Sequence, residues 1–229
     1  MSGTLYAIPS PLGGKAADAL PAPALAAIRG LRAFAVENAK SARAFLADVG
    51  MPCPLQELEI LDLQADSSKA MGLLKTGASL GLVSEAGCPA IADPGASLVD
   101  AAHAEGLRVV PLVGPSSIVL ALMASGLEGQ RFAFCGYLPR EPEARRRRIR
   151  ELEARSRREH ETQIFIETPY RNEALLAALL QTAADTTRLC VAADLTLAGE
   201  RIRTHAMPRW RSLHVEIGKR PAVFLLQAT

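Results

Sequence analysis

The sequence predicts an α/β protein of two α/β domains, residues 1–115 with a mainly parallel sheet and residues 116–229 with a mixed one. Three observations carry this. Short apolar runs alternate with segments of helical period through the first half of the chain. The alternation restarts after residue 126. The last apolar runs follow one another through short connections, which favours antiparallel pairing.

In order, "GTLYAIP" is a first strand, ended by Pro9 and Pro11, and "LRAFAVEN" a second. "SARAFLADVG" is a helix with Ser41 at its N-cap and Gly50 after its end. "ELEILDL" alternates polar and apolar residues, as a half-exposed strand does, and "DSSKAMGLLKTG" is a helix ending at Gly77. "SLGLVS" is a strand. It leads through "EAGCPAIADPG", with Asp93 as a helix cap and Pro94 at the first helical position, into the helix "ASLVDAAHAEG". "LRVVPLVG" is a strand, and "SSIVLALMASG" a helix capped by Ser116 or Ser117. In the second half, "RFAFCGYLP", "QIFIE", "TRLCVAADLT", "ERIRTHA" and "PAVFLLQA" are strands. Residues 141–160 and "NEALLAALLQTA" are helices, and "RWRSLHVEIG" a short helix or turn in which Trp210 packs rather than stacks on a ligand.

Composition narrows the function. Of 229 residues, 49% are hydrophobic and 22% charged, a globular balance, and the net charge is only +2. Aromatics at 4% argue against a stacking platform for single-stranded nucleic acid. Cys53, Cys88, Cys135 and Cys190 are far apart with no CxxC, so they read as free thiols in a reducing compartment. No signal-peptide pattern and no membrane-length apolar run is present, so the expected location is cytoplasmic. The four histidines have no ligand-spaced partners, and no metal is assigned.

Ligands of open α/β sheets bind beyond the carboxyl ends of the strands. Four Gly/Pro loops lie there: "PSPLGG" (9–14), "SEAGCP" (84–89), "VGPSS" (113–117) and "GYLPR" (136–140). Ser116 and Ser117 stand at a helix N-terminus, which suits an anionic group, and Glu85 can accept from an amine or a ribose hydroxyl. Neither GxGxxG nor GxxxxGK[ST] occurs, which disfavours a dinucleotide site and a P-loop.

With "GTLYAIPSPLGG", "GLVSEAGCPAIADPG", "VVPLVGPSS", "RFAFCGYLPR" and "IFIETPYR" in this order, the chain resembles the tetrapyrrole (corrin/porphyrin) methylase superfamily. Within it, the resemblance is to the branch of ribosomal RNA small-subunit methyltransferase I, which methylates a cytidine ribose 2′-oxygen. It implies two α/β domains with S-adenosylmethionine in a cleft between them, a homodimer, and a ribosomal RNA or ribosomal-subunit partner. The family's SDAGTP loop corresponds to Ser84, Glu85, Ala86, Gly87, Cys88 and Pro89, the acid longer by one methylene. Its PGPSA loop corresponds to Val113, Gly114, Pro115, Ser116 and Ser117. Its first loop, TPIGNLxD, is Ser10, Pro11, Leu12, Gly13 and Gly14, without the following Asn-Leu-acid. EDTR becomes Glu37, Asn38, Ala39 and Lys40. RELTKxHE becomes "AADLTLAGE", keeping Leu195, Thr196 and Glu200 but not the Arg, Lys and His. The resemblance thus points to Pro11, Ser84, Glu85, Ala86, Gly87, Gly114, Ser116, Ser117, Tyr137 and Leu195 as donor-binding residues. The substrate half of the pattern is less preserved than the donor half.

Glu37 and Glu167 are the candidate catalytic acids. Glu167 has a second reading, a structural pair with Arg171, and Arg171 a second role toward substrate. "RRRRIRELEARSRRE" (145–159) also has two readings. One is a solvated helix with pairs Arg147–Glu151, Glu153–Arg157 and Arg155–Glu159. The other is an RNA-phosphate face of Arg145, Arg146, Arg148 and Arg150, which lack an acid four residues on. The expected activity is S-adenosylmethionine-dependent methylation of RNA. The rivals are methylation of a tetrapyrrole-like small molecule and donor binding without activity.

Overall fold

A computed structural model gives the fold and describes residues 2–229. One compact unit ends at Ser116 and the second runs Ser117–Thr229.

The first unit holds five parallel strands, β1 (Thr4–Ile8), β2 (Ala33–Val36), β3 (Glu59–Asp62), β4 (Leu80–Val83) and β5 (Arg108–Pro111), in the order β3-β2-β4-β1-β5. Strand β4, "LGLV", is buried throughout because helices cover both faces of a parallel sheet. Helices α1 (Ala16–Ala19), α2 (Ala22–Arg29) and α3 (Ala39–Val49) close one face over Ile8, Phe34 and Leu46. Helices α4 (Ser67–Lys75) and α5 (Ala96–Ala104) close the other over Leu5, Leu80 and Leu82. A Cβ at Gly81 would lie 2.6 Å from the Phe34 ring, so this glycine lets the ring lie flat on the sheet.

Three local expectations change. Helices α1 and α2 fill the Ala/Pro-rich stretch that offered no strong helical period. The N-cap of α3 is Asn38, whose carboxamide accepts from the Lys40 and Ser41 amides; Ser41 is already helical. Asp93 caps nothing: α5 starts at Ala96 behind Gly95, which holds φ 133, and Pro94 lies outside the helix.

The second unit holds α6 (Ser117–Ser125), β6 (Phe132–Tyr137), α7 (Pro142–Glu159), β7 (Thr162–Ile166), α8 (Asn172–Thr182), β8 (Arg188–Ala193), β9 (Arg201–Ala206), α9 (Met207–Ser212) and β10 (Ala222–Gln227). The strand order is β6-β7-β10-β8-β9; β6 and β7 are parallel and the other pairs antiparallel, a mixed sheet. The Phe165 and Phe224 rings stack at 6.0 Å, and buried Trp210 donates its indole N–H to the Leu189 carbonyl at 2.7 Å. Registers Tyr137↔Ile166, Ile166↔Val223, Ala222↔Ala193 and Ala193↔Arg201 bring five strand ends to one edge of this sheet.

Candidate functional site

The first unit has a crevice dictated by its topology. From β1 the chain runs over one face toward β2, and from adjacent β4 over the other face toward β5. Loops that leave neighbouring strands in opposite directions open a gap between them. Here the gap is stitched: the Ser10 amide donates to the Gly87 carbonyl at 2.8 Å, and the Gly87 amide returns to Ser10 at 3.0 Å. The Ser10 hydroxyl donates to the Ser84 carbonyl at 2.9 Å. The third loop joins through the Cys88 thiol, which donates to the Pro115 carbonyl at 3.5 Å. A Cβ on Gly114 would sit 2.5 Å from the Pro9 Cβ, so only glycine permits this approach. Gly87 holds φ 74, and Ala90 and Ala92 hold φ 65 and 66. Left-handed alanines are strained, and such strain collects where a loop is shaped for a ligand.

Three carboxylates gather at this crevice. The Glu85 amide donates to Glu37 Oε2 at 3.2 Å, and the Ser41 hydroxyl donates to Glu85 Oε1 at 3.3 Å. Burial raises Glu37 above the usual carboxylate range; the Glu85 amide opposes this, and the charges of Asp93 and Glu85 add to it. Asp93 is raised by its own burial, reinforced by Glu85 and opposed by Ser84. The buried Ser84 hydroxyl approaches Asp93 closely enough for this effect but has no hydrogen bond of ordinary geometry. Burial, then Asp93, also pushes the Cys88 thiol up.

Pro11, Ser84, Glu85, Ala86, Gly87, Gly114 and Ser116 therefore fall on the three stitched or neighbouring loops of the first unit, and Glu37 stands beside Glu85. Ser117, Tyr137 and Leu195 belong to the second unit. Asp93 reads as a cap in the sequence, and Ser10 and Cys88, though in the expected loops, are not among the expected donor-binding residues. Asp93 looked like a cap because Pro94 and Gly95 follow it, and only folding brings it to Ser84.

In the second unit, a register shift between Phe134 and Tyr137, with Gly136 at φ 65, turns Tyr137 outward and Leu138 inward. Tyr137, Leu138, Pro139, Arg140, Thr168 and Arg171 line a cavity of about 430 Å³. Beside it Glu167, buried, pairs with Arg171 and also accepts from the Thr168 amide at 2.7 Å. Each partner keeps a buried atom without a hydrogen bond, Glu167 Oε2 and Arg171 Nη1. An ion pair with one spare acceptor and one spare donor suits a polar ligand group. Leu195 is buried between Asp194 at φ 53 and Thr196 at φ 69, and the Thr196 amide donates to Glu200 at 2.9 Å.

Helix α7 departs from both sequence readings. Arg146 pairs with Glu143 and Arg148 with Glu151, because residues three apart also meet on a helix. Arg145 lies on the buried face with Ile149 and Leu152. Arg150 alone of the four is exposed with no ion pair among the described residues. None of the expected Arg147–Glu151, Glu153–Arg157 and Arg155–Glu159 pairs forms among the described residues: Glu151 pairs with Arg148, Glu153 is buried and accepts from the Ala184 amide and the Thr187 hydroxyl, and Arg155 pairs with Glu161.

Solved structures of low identity share this architecture. The chain aligns over 100% of its length with 95% of the methyltransferase CobJ at a TM-score of 0.64 and 17% identity. It aligns over 99% with 90% of a diphthine synthase at 0.63 and 16%. The fold is thus of the kind these two-sheet α/β proteins adopt. By sequence, the chain belongs to the Tetrapyrrole (Corrin/Porphyrin) Methylases, whose family pattern it matches over residues 15–207. It is 36% identical over 200 residues to the Ribosomal RNA small subunit methyltransferase I of Xylella fastidiosa (strain Temecula1), covering 87% of this chain and 71% of that protein. It is 32% identical over 203 residues to the protein of the same name from Pseudomonas aeruginosa, covering 89% and 70%.

Proposed function

We propose that this chain transfers a methyl group from S-adenosylmethionine to ribosomal RNA, with a ribose 2′-oxygen as acceptor. Family membership and the names of its relatives support the reaction class and the substrate class. The observation that carries the reading is the carboxylate cluster Glu37, Glu85 and Asp93 among the stitched loops of the first unit. S-adenosylmethionine, when bound, supplies a methyl group on a sulfonium centre. Its positive sulfonium and ammonium groups fit a cluster in which burial and neighbouring carboxylates raise the proton affinity of Glu37 and Asp93.

The backbone groups of the 9–14, 84–89 and 113–117 loops align the donor, and alignment is most of what such a transfer asks of a protein. A ribose hydroxyl must still lose its proton as its oxygen attacks. Glu37, its proton affinity raised, is the base we assign, with its Oε2 oriented by the Glu85 amide. In the second unit, Glu167 Oε2 and Arg171 Nη1 offer an acceptor and a donor to the substrate nucleotide. Calorimetric titration tests the donor half: binding of both S-adenosylmethionine and its demethylated product is expected. Absence of heat and of any melting shift with either would overturn the reading.

A further inference from the structure

A second cavity lies at the free edge of the second sheet. Strand β9 pairs only with β8, and its register sets Arg201 opposite Ala193 and Arg203 opposite Val191. Val191 and Ala193 line this cavity of about 120 Å³ with Trp210, and both arginines, His214 and Arg220 stand around it. The cavity continues through Arg201 and the 213–217 segment into a groove of about 600 Å³ that adds Lys219.

The wall opposite β9 is fixed. Glu173 accepts from the Ile217 and Gly218 amides, both at 2.7 Å, and buried Asn172 donates to the Gly218 and Arg220 carbonyls at 3.2 and 2.8 Å. Arg220 is held 3.4 Å from Asp194. Among the described residues Arg201 and Arg203 have neither an ion pair nor a side-chain hydrogen bond, and Glu216 is the one carboxylate lining the cavity with them. Charges on an edge strand also deter pairing with another chain. That duty needs no concavity: Arg108 is likewise exposed on the edge strand β5.

We propose that the β9 cavity holds a backbone phosphate of the RNA strand, with Arg201 and Arg203 as its guanidinium donors and Lys219 extending the track. Guanidinium forks match phosphate oxygens, and two free ones over a rigid floor form a site that needs little ordering. The inference rests on the reading of the chain as an RNA-modifying enzyme. It also places the RNA contact on residues other than the largely paired or buried arginines of α7.

The test is fluorescence anisotropy of the full chain with a labelled single-stranded oligoribonucleotide, titrated at several salt concentrations without methyl donor. Each single-strand phosphate contact contributes about 0.7 to the slope of log affinity against log salt. Arg201→Gln/Arg203→Gln, which together empty one phosphate site, should therefore lower the slope by about 0.7 and weaken binding roughly tenfold or more at low salt. Arg201→Lys/Arg203→Lys should recover most of the slope, and Arg108→Gln should leave it unchanged. Should the double variant melt early, Lys219→Gln alone should lower the slope by about 0.7. An unchanged slope in a folded double variant overturns the proposal, as does failure of the unaltered chain to bind RNA. So does loss of inorganic phosphate binding in the variant with RNA affinity intact, since that assigns the cavity to a free anion. RNA binding lost with these arginines in a chain that transfers no methyl group supports this inference and counts against the reaction.

Discussion

The Glu85 amide donates to the Glu37 carboxylate at 3.2 Å, joining the ends of β2 and β4 around a group whose pKa burial raises. A bound cation draws such carboxylates toward the ionised form. Donor affinity should therefore rise with pH through and above the usual carboxylate range, with proton release on binding. Calorimetry in buffers of different ionisation enthalpy reads both effects; affinity independent of pH there would contradict the assignment.

The same shift has a stability consequence of defined sign. With its folded value raised, Glu37 favours the fold at low pH, where both states hold the proton, and loses that contribution as pH rises through the folded value. Glu37→Gln should raise Tm by about 1–2 °C near pH 8, the size of one partly solvated charge, with the gap closing toward acid. Methyl transfer should fall about 100-fold if Glu37 is the base.

Gly114→Ala places a Cβ 2.5 Å from the Pro9 Cβ and 2.9 Å from Leu20 Cδ2. Overpacking of this kind costs about 1–3 kcal/mol. Because Pro9 leads into the first loop, donor affinity should fall as well. A melt and a donor titration check both, and wild-type values in each would show that the loops do not depend on this approach.

Glu167 and Arg171 should prove strongly coupled. Removing Glu167 leaves Arg171 with an unpaired buried donor, so Glu167→Ala should cost about 2–4 kcal/mol. Arg171→Ala on top of it should add under about 1 kcal/mol, a coupling that a double-mutant cycle in denaturant measures.

Away from the site, Gly72 lies exposed in α4 with nothing within 4 Å of an added Cβ. Gly72→Ala should stabilise the chain by about 0.5–1 kcal/mol. Asn38→Ala, which removes the α3 cap, should cost about 1 kcal/mol. Both are read from chemical denaturation.

What the sequence revealed follows its physics. All ten strands were legible because short apolar runs such as "LGLV" and "AVFLLQ" are bounded by Gly, Pro or charged residues. Helices α1 and α2 were not, since Ala and Pro carry no clear apolar stripe. Loops at strand ends could be located by periodicity, so the loops that carry Ser84 to Gly87 and Gly114 stood out before folding. The partnership of Asp93 with Ser84 depends on how a strained loop folds back. The arginines were misjudged for a related reason: local spacing marks a basic helix, but which face is buried and which acid three residues away wins is a tertiary matter. Arg201 and Arg203 drew no notice in "ERIRTHA", because nothing in that strand announces the 213–217 wall opposite.

The central claim is methyl transfer to ribosomal RNA. The most direct measurement incubates the full chain with methyl-labelled S-adenosylmethionine and small ribosomal subunits lacking native modification, followed by alkaline hydrolysis of the RNA. A ribose 2′-O-methyl group blocks cleavage at its own linkage, so the predicted result is label in a single alkali-resistant dinucleotide. Donor binding without label in the RNA, or label confined to alkali-sensitive mononucleotides, would contradict the account.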